Sequence, residues 1–153
     1  MRKLLLLPFI FLFYSCNMTQ VVQESVEQSI IVELPNKSHA ESYVAANNWM
    51  ISIFFNAESI IQFTDKESGT ISGRYQIGQV YAGQAGNLPQ FVYAILKVEI
   101  KDEKVRLTII PESFRYVSNN PYSLYSPEQL NTDIQDLFQS FEDYMLKPTD
   151  SDW

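Results

Sequence analysis

Side chains able to do chemistry are scarce in this chain of 153 residues, which has a single cysteine and a single histidine. A thiol nucleophile would have to be Cys16, and a Ser–His pair would have to use His39. Zinc sites draw His and Cys ligands in number, and one of each does not make a set. Carboxylates are more plentiful. Asp65 with Glu67 and Asp102 with Glu103 are the closest pairs, but both fall in stretches that read as hairpin turns, where acidic residues are favoured for turn-forming reasons. Asp133, Asp136, Glu142 and Asp143 lie on the polar side of a helical stretch, and neither their spacing nor a glycine loop matches a calcium-binding pattern. The expectation is a protein that is not an enzyme, with no metal site and no cofactor.

Groups suited to recognition are better represented. Arg74, Lys97, Glu99 and Arg106 fall, with Gln62, Ser72, Gln76 and Thr108, on the polar parity of strand-like segments, where an arginine can grip a carboxylate or sulfate. Cross-strand ion pairing that only keeps a sheet soluble is the plainer account of the same residues. A second candidate is the aromatic stretch Phe114, Tyr116, Tyr122 and Tyr125, beside Arg115. Tyrosine suits both sugar stacking and protein contact, having a large ring with a polar tip, and it suits equally a plug for the end of a sheet. Trp49, at helical spacing, reads as core.

These residues need a scaffold, and the centre of the chain supplies one. Ile71, Tyr75 and Ile77 alternate with Ser72, Arg74 and Gln76, and Val105, Leu107 and Ile109 alternate with Arg106 and Thr108. Alternation of this kind makes one dry and one wet face. Between them Val92, Ala94, Leu96, Val98 and Ile100 share a parity, and the segment Gln90 to Lys101 reads as the central strand. Lys101-Asp102-Glu103-Lys104 and Asp65-Lys66-Glu67-Ser68-Gly69 are turns, so antiparallel pairing follows. Ser59 to Thr64 and Thr70 to Ile77 are strands, and Gly78, Gly83, Gly86 and Pro89 mark a longer connection.

Helices bracket the sheet. Ser38-His39-Ala40-Glu41 has the form of a capping box and predicts a helix to about Phe55, after a strand over Ser29 to Leu34 stopped by Pro35-Asn36. Ser126-Pro127-Glu128-Gln129 predicts a second, whose apolar stripe is Leu130, Ile134, Leu137, Phe138, Phe141 and Met145. Pro111 to Tyr125 reads as a long structureless loop.

The N-terminus has another character. Met1-Arg2-Lys3 is positive, Leu4 to Phe13 is apolar and too short to span a bilayer, and Ser15 precedes Cys16. This resembles the lipobox of bacterial lipoproteins, though Phe13 and Tyr14 are bulkier than usual. It implies a diacylglyceryl thioether on Cys16. Cleavage there would remove Arg2 and Lys3 and take the formal charge from −7 to −9. A chain so acidic should repel phosphate backbones and anionic lipid headgroups, so nucleic acid is not expected as a partner. The organisation expected is a signal peptide over 1–15, a lipidated cysteine and flexible tether over 16–28, a folded domain over 29–147 and a frayed tail over 148–153.

The order strand, helix, four antiparallel strands, helix resembles the TBP-like α+β fold, in which helices pack on one face of a curved antiparallel sheet. More narrowly, Val32-Glu33-Leu34-Pro35, Trp49, the run Ile61 to Gly73 and the run Val98 to Thr108 resemble a family of bacterial domains of unknown function assigned that fold and found largely in exported proteins of Gram-negative bacteria. The resemblance spans about Ser29 to Pro111 and implies fold and address, with no reaction. The expectation is a lipid-anchored envelope protein, at the outer membrane facing the periplasm, that binds an envelope protein or small ligand. The competing readings are an enzyme acting on cell-wall or glycan material through carboxylates and a structural subunit of an envelope assembly.

Overall fold

The computed structural model describes residues 20–54, 60–80, 90–117 and 125–148. The expected signal segment, Cys16, the connection over 81–89, Tyr122 and the tail from residue 149 lie outside them. Among the described residues nine elements follow in chain order: β1 (Gln20–Gln23), β2 (Gln28–Glu33), α1 (His39–Ile53), β3 (Ile60–Asp65), β4 (Thr70–Val80), β5 (Gln90–Lys101), β6 (Lys104–Pro111), β7 (Phe114–Val117) and α2 (Pro127–Leu146). Five strands make an antiparallel sheet in the order β2-β6-β5-β4-β3, and β1 pairs with β7 in a separate two-stranded ribbon. The α+β reading of the sequence therefore holds, with both helices on one face of the five-stranded sheet.

Alternation decides which face that is. Val92, Ala94, Leu96, Val98 and Ile100 of β5 are all buried, as are Val105, Leu107 and Ile109 of β6 and Ile71 and Ile77 of β4. Against them lie Ala46, Trp49 and Met50 of α1 and the whole expected stripe of α2, from Leu130 to Met145. The Trp49 and Phe141 rings meet edge to face, with centroids 4.8 Å apart, and Trp49 Nε1 donates to Ser140 Oγ at 3.1 Å, joining the two helices. Burying rings of this size contributes more than any surface contact could.

Both helices start where their caps require. Ser38 Oγ accepts from the Glu41 backbone N–H while the Ser38 N–H donates to the Glu41 carboxylate at 2.8 Å. Ser126 Oγ accepts from the Gln129 N–H at 3.2 Å, but the Gln129 side chain, expected to complete a capping box there, donates to Asp133 instead of reaching back. The far end of α2 is tied down by Lys37, whose Nζ donates to the carbonyls of Met145 and Lys147 at 2.5 and 2.8 Å. A cation at a helix C-terminus meets the unpaired carbonyls there.

Three expectations need correction. The tether does not run flexibly to Gln28: Gln20–Gln23 forms β1 against Phe114–Val117. Gln23 and Gln28 are five residues apart, as are their partners Phe114 and Ile109, so the ribbon keeps the register of the β2–β6 ladder and prolongs it past the sheet. For the same reason Pro111 to Tyr125 is not structureless throughout. Lastly, β4 does not stop at Ile77 but passes through a bulge between Gln76 and Gly78 and runs on to Val80. A bulge re-aims the strand without ending its pairing.

Tyr125 explains why a glycine stands at that bulge. Its ring lies directly on Gly78, where an added Cβ would collide with it, and its hydroxyl donates to the Ile77 carbonyl at 3.3 Å. Gly78→Ala should therefore destabilise the domain by about 1–3 kcal/mol, the cost of overpacking. In a Tyr125→Ala background the same change should cost under about 0.5 kcal/mol, as for a site without the clash. Denaturant titration of the four proteins checks the cycle, and additive losses would refute the contact.

Candidate functional site

The face of the five-stranded sheet turned away from the helices gathers most of the residues singled out for recognition. Register sets them in rows. Ser72 stands opposite Lys97 and Lys97 opposite Thr108; Thr70 stands opposite Glu99 and Glu99 opposite Arg106, with Ile31 beyond on β2. Arg74 stands opposite Ile95.

The expected charges do meet, but in two groups. Glu99 lies between Lys97 at 2.9 Å and Arg106 at 3.9 Å. Arg74 belongs to the second group, held in a fork by Glu112, at 3.0 Å from Nε to Oε1 and 3.3 Å from Nη2 to Oε2. The Arg74 guanidinium also stacks on Tyr93, its Cζ 3.3 Å from the ring centroid, a cation–π contact that fixes its plane. Glu112 and Tyr93 escaped the reading of the sequence, because one follows the end of β6 and the other was counted only as an apolar residue.

Hydrophobic side chains interleave with these pairs. Ile31 is 54% exposed and stands opposite Arg106, and Phe63 is 52% exposed and stands opposite Ser72. Thr108, expected at the wet surface, is buried. The face is thus a mixed surface on which Arg74, Lys97 and Arg106 already have carboxylate partners. A ligand carboxylate or guanidinium would have to exchange with a resident partner, and exchange is easy because exposed ion pairs contribute only about 0–1 kcal/mol.

The aromatic stretch divides differently. Tyr125 is buried, 4% exposed, and belongs to the core as the plug on Gly78. Burial, and then the neighbouring Asp133 carboxylate, push its phenol far above the ordinary tyrosine range. Tyr116 is half-buried and leans on Phe114, the centroids 6.1 Å apart. Neither ring joins Arg74, Lys97, Glu99 and Arg106.

Several of the residues weighed for catalysis have structural duties. Asp65 Oδ1 accepts from the backbone N–H groups of Glu67 and Ser68, which closes the β3–β4 turn, and its carboxyl is held below the usual range by the hydrogen bonds to Ser68 foremost. Glu103 takes a positive φ in the β5–β6 turn. His39 is half-buried over Gly69, whose φ of 68° suits glycine and whose missing side chain makes room for the imidazole. Asp133 accepts from Gln129 and Asp143 from Gln139, each one turn away along α2.

A groove of about 570 Å³ lies on the helix layer instead, lined by Val44, Ala45, Tyr144 and Pro148 and bordered by Lys37. Val44 lies outside the buried stripe of α1 and is 53% exposed there.

Residues 29–116 match the family model of a domain of unknown function with a TBP-like fold, DUF4468. Among solved structures, a DUF4468 family protein from Bacteroides ovatus is 20% identical with a TM-score of 0.56, the match covering 84% of this chain and 90% of that one. A TBP-like protein from Parabacteroides distasonis is 15% identical with a TM-score of 0.58, over 82% of this chain and 95% of that one. At such identities the likeness is one of fold. No curated protein matches the chain.

The electrostatics of the open face can be read in solution. The hydrogen bond from Lys97 foremost, and then the charges of Lys97, Arg106 and Lys101, hold the Glu99 carboxyl below the usual range against the opposing effect of desolvation. A depressed folded value means that the stabilisation is present above the unfolded pKa, about 4.3, and is lost as pH falls through the folded one. Glu99→Gln should therefore flatten the acid limb of the melting curve below about pH 4.3, while costing no more than about 1 kcal/mol at neutral pH. Thermal melts taken from neutral pH into acid check this, and identical acid limbs would refute it.

Proposed function

This chain belongs to the DUF4468 family of TBP-like domains, and on that footing we propose that it is a lipid-anchored envelope protein whose domain, without catalysis, binds a protein or small ligand on its open sheet face. The anchor is a diacylglyceryl group on Cys16, and the place is the outer membrane, facing the periplasm. Support for the anchor is the positive, apolar and small-residue order ahead of the chain's one cysteine.

The observation that carries the binding surface is that both helices cover the same side of the sheet. Ile31 and Phe63 on the other side are left more than half exposed among matched charges. Large exposed apolar side chains rimmed by polar groups are the usual composition of a protein-contact surface.

Two measurements test the two halves. Mass spectrometry of the N-terminal peptide from membrane-extracted protein should find Cys16 diacylated, and Cys16→Ser should move the protein to the soluble fraction; an unmodified Cys16 overturns the anchor. For the face, Phe63→Ser with Arg106→Ala should shift the melting temperature by only a few degrees, as surface changes do, yet abolish crosslinks to partners in intact cells. An unchanged set of crosslinked partners overturns the surface.

A further inference from the structure

The ribbon brings the anchoring cysteine much nearer to the folded domain than a free tether would. β1 begins at Gln20, four residues after Cys16. Four residues reach at most about 14 Å when fully extended. β1 prolongs β2 in register and leaves the sheet at the end where β4 finishes and β5 starts. Whatever lies at that end is therefore within a few residues' reach of the lipid.

A groove of about 440 Å³ lies there, between the ribbon and the ends of β4 and β5, lined by Val22, Val80, Gln90, Phe91, Ser113 and Arg115 among others. Val22 is 47% and Phe91 40% exposed, and Val22 stands opposite Arg115, which is also exposed. Among the described residues no carboxylate lines the groove, although the chain carries a formal charge of −7. The acidic turns holding Asp65 and Glu67, and Asp102 and Glu103, sit at the opposite end of the strands.

We propose that this end of the domain, with Val22 and Phe91 as its apolar contacts and Arg115 as its cation, docks on the lipid surface that holds the anchor. This inference rests on Cys16 carrying the anchor proposed above. Rings and aliphatic side chains enter the boundary between headgroups and acyl chains, while a guanidinium meets phosphate oxygens. Docking need not be strong, because the anchor makes it intramolecular and raises the effective lipid concentration to the millimolar range or above. Strands then stand up from the membrane and the open sheet face is presented sideways.

Coupling the processed chain, Cys16 to Trp153, through its one thiol to maleimide lipids in phosphatidylethanolamine–phosphatidylglycerol vesicles tests the docking apart from acylation in cells. Trp153 is replaced by Phe, Trp49 stays in the core as a constant background, and Phe91→Trp places a reporter in the groove. The reporter's emission should shift to shorter wavelength and be quenched about twofold by nitroxide lipids labelled near the headgroup, as for a ring at the interface. Lys101→Trp, in the distal turn, should not be quenched. A Gly-Ser spacer inserted after Met18 should reduce the quenching of the groove reporter. Equal quenching in the Phe91→Trp and Lys101→Trp proteins, or none in the first, overturns the docking, and Val22→Trp gives the same readout should Phe91→Trp fail to fold. An unmodified Cys16 in cells overturns the anchor and leaves the vesicle result interpretable.

Discussion

Burial along one side of β5 is the constraint on which the rest of the domain depends. Its even-numbered residues from Val92 to Ile100 are all buried, while Lys97, Glu99 and Lys101 point the other way. As the central strand it pairs with β4 and β6, so a slip of one residue would turn every one of those side chains to the wrong face. The two helices then have only one face to cover. Truncating a buried leucine or phenylalanine costs about 2–5 kcal/mol, whereas an exposed ion pair contributes about 0–1 kcal/mol. Stability is concentrated on the helix side, and the open side is free to change without unfolding the domain.

Much of this was legible because the signals are local and periodic. The S-x-x-E box at Ser38, the Ser-Pro start at Ser126, the stripe from Leu130 to Met145 and the alternation in β4, β5 and β6 each need no more than a few neighbouring residues to be read. What escaped depends on distant partners. β1 and β7 are four residues each and pair across a long stretch of intervening chain, so the polar composition of the first segment suggested a tether. For Tyr125 the sequence left open a binding ring or a plug for the sheet's end, because the choice depends on Gly78, a glycine that sequence reasoning assigned to a flexible connection. Among the candidate site residues, Lys97, Glu99 and Arg106 were correctly set on one face by parity alone. Arg74 was set there too, but its carboxylate partner was invisible, since Glu112 lies beyond the periodic stretch of β6.

The sheet's two edges are handled in different ways. β3 is an edge strand with three exposed residues in a row, Gln62 to Thr64, and a bulge between Ile61 and Phe63. Such a bulge twists an edge away from easy pairing with another chain. β2, the other edge, alternates exposed Ser29, Ile31 and Glu33 with inward Ile30 and Val32, and α2 approaches its start, where Gln135 Nε2 donates to Gln28 Oε1 at 3.5 Å. β1 prolongs this edge toward the N-terminus and is itself paired with β7.

Charge is divided between the layers in a way that the net value conceals. α2 bears Glu128, Asp133, Asp136, Glu142 and Asp143 and no basic residue, whereas Arg74, Lys97, Lys101, Lys104 and Arg106 all lie on the open side of the sheet. A helix layer is about 10–12 Å thick, and the Debye length at physiological salt is about 8 Å. At contact range a partner on the sheet therefore meets the charges of the sheet, with those of α2 largely screened. The cations there would favour a phosphate backbone if they stood alone, but Glu99 and Glu112 are set among them at ion-pair distance. A continuous polyanion would be repelled by both, whereas a surface of alternating sign could exchange partners pair by pair, which is the arrangement that favours specificity over bulk attraction.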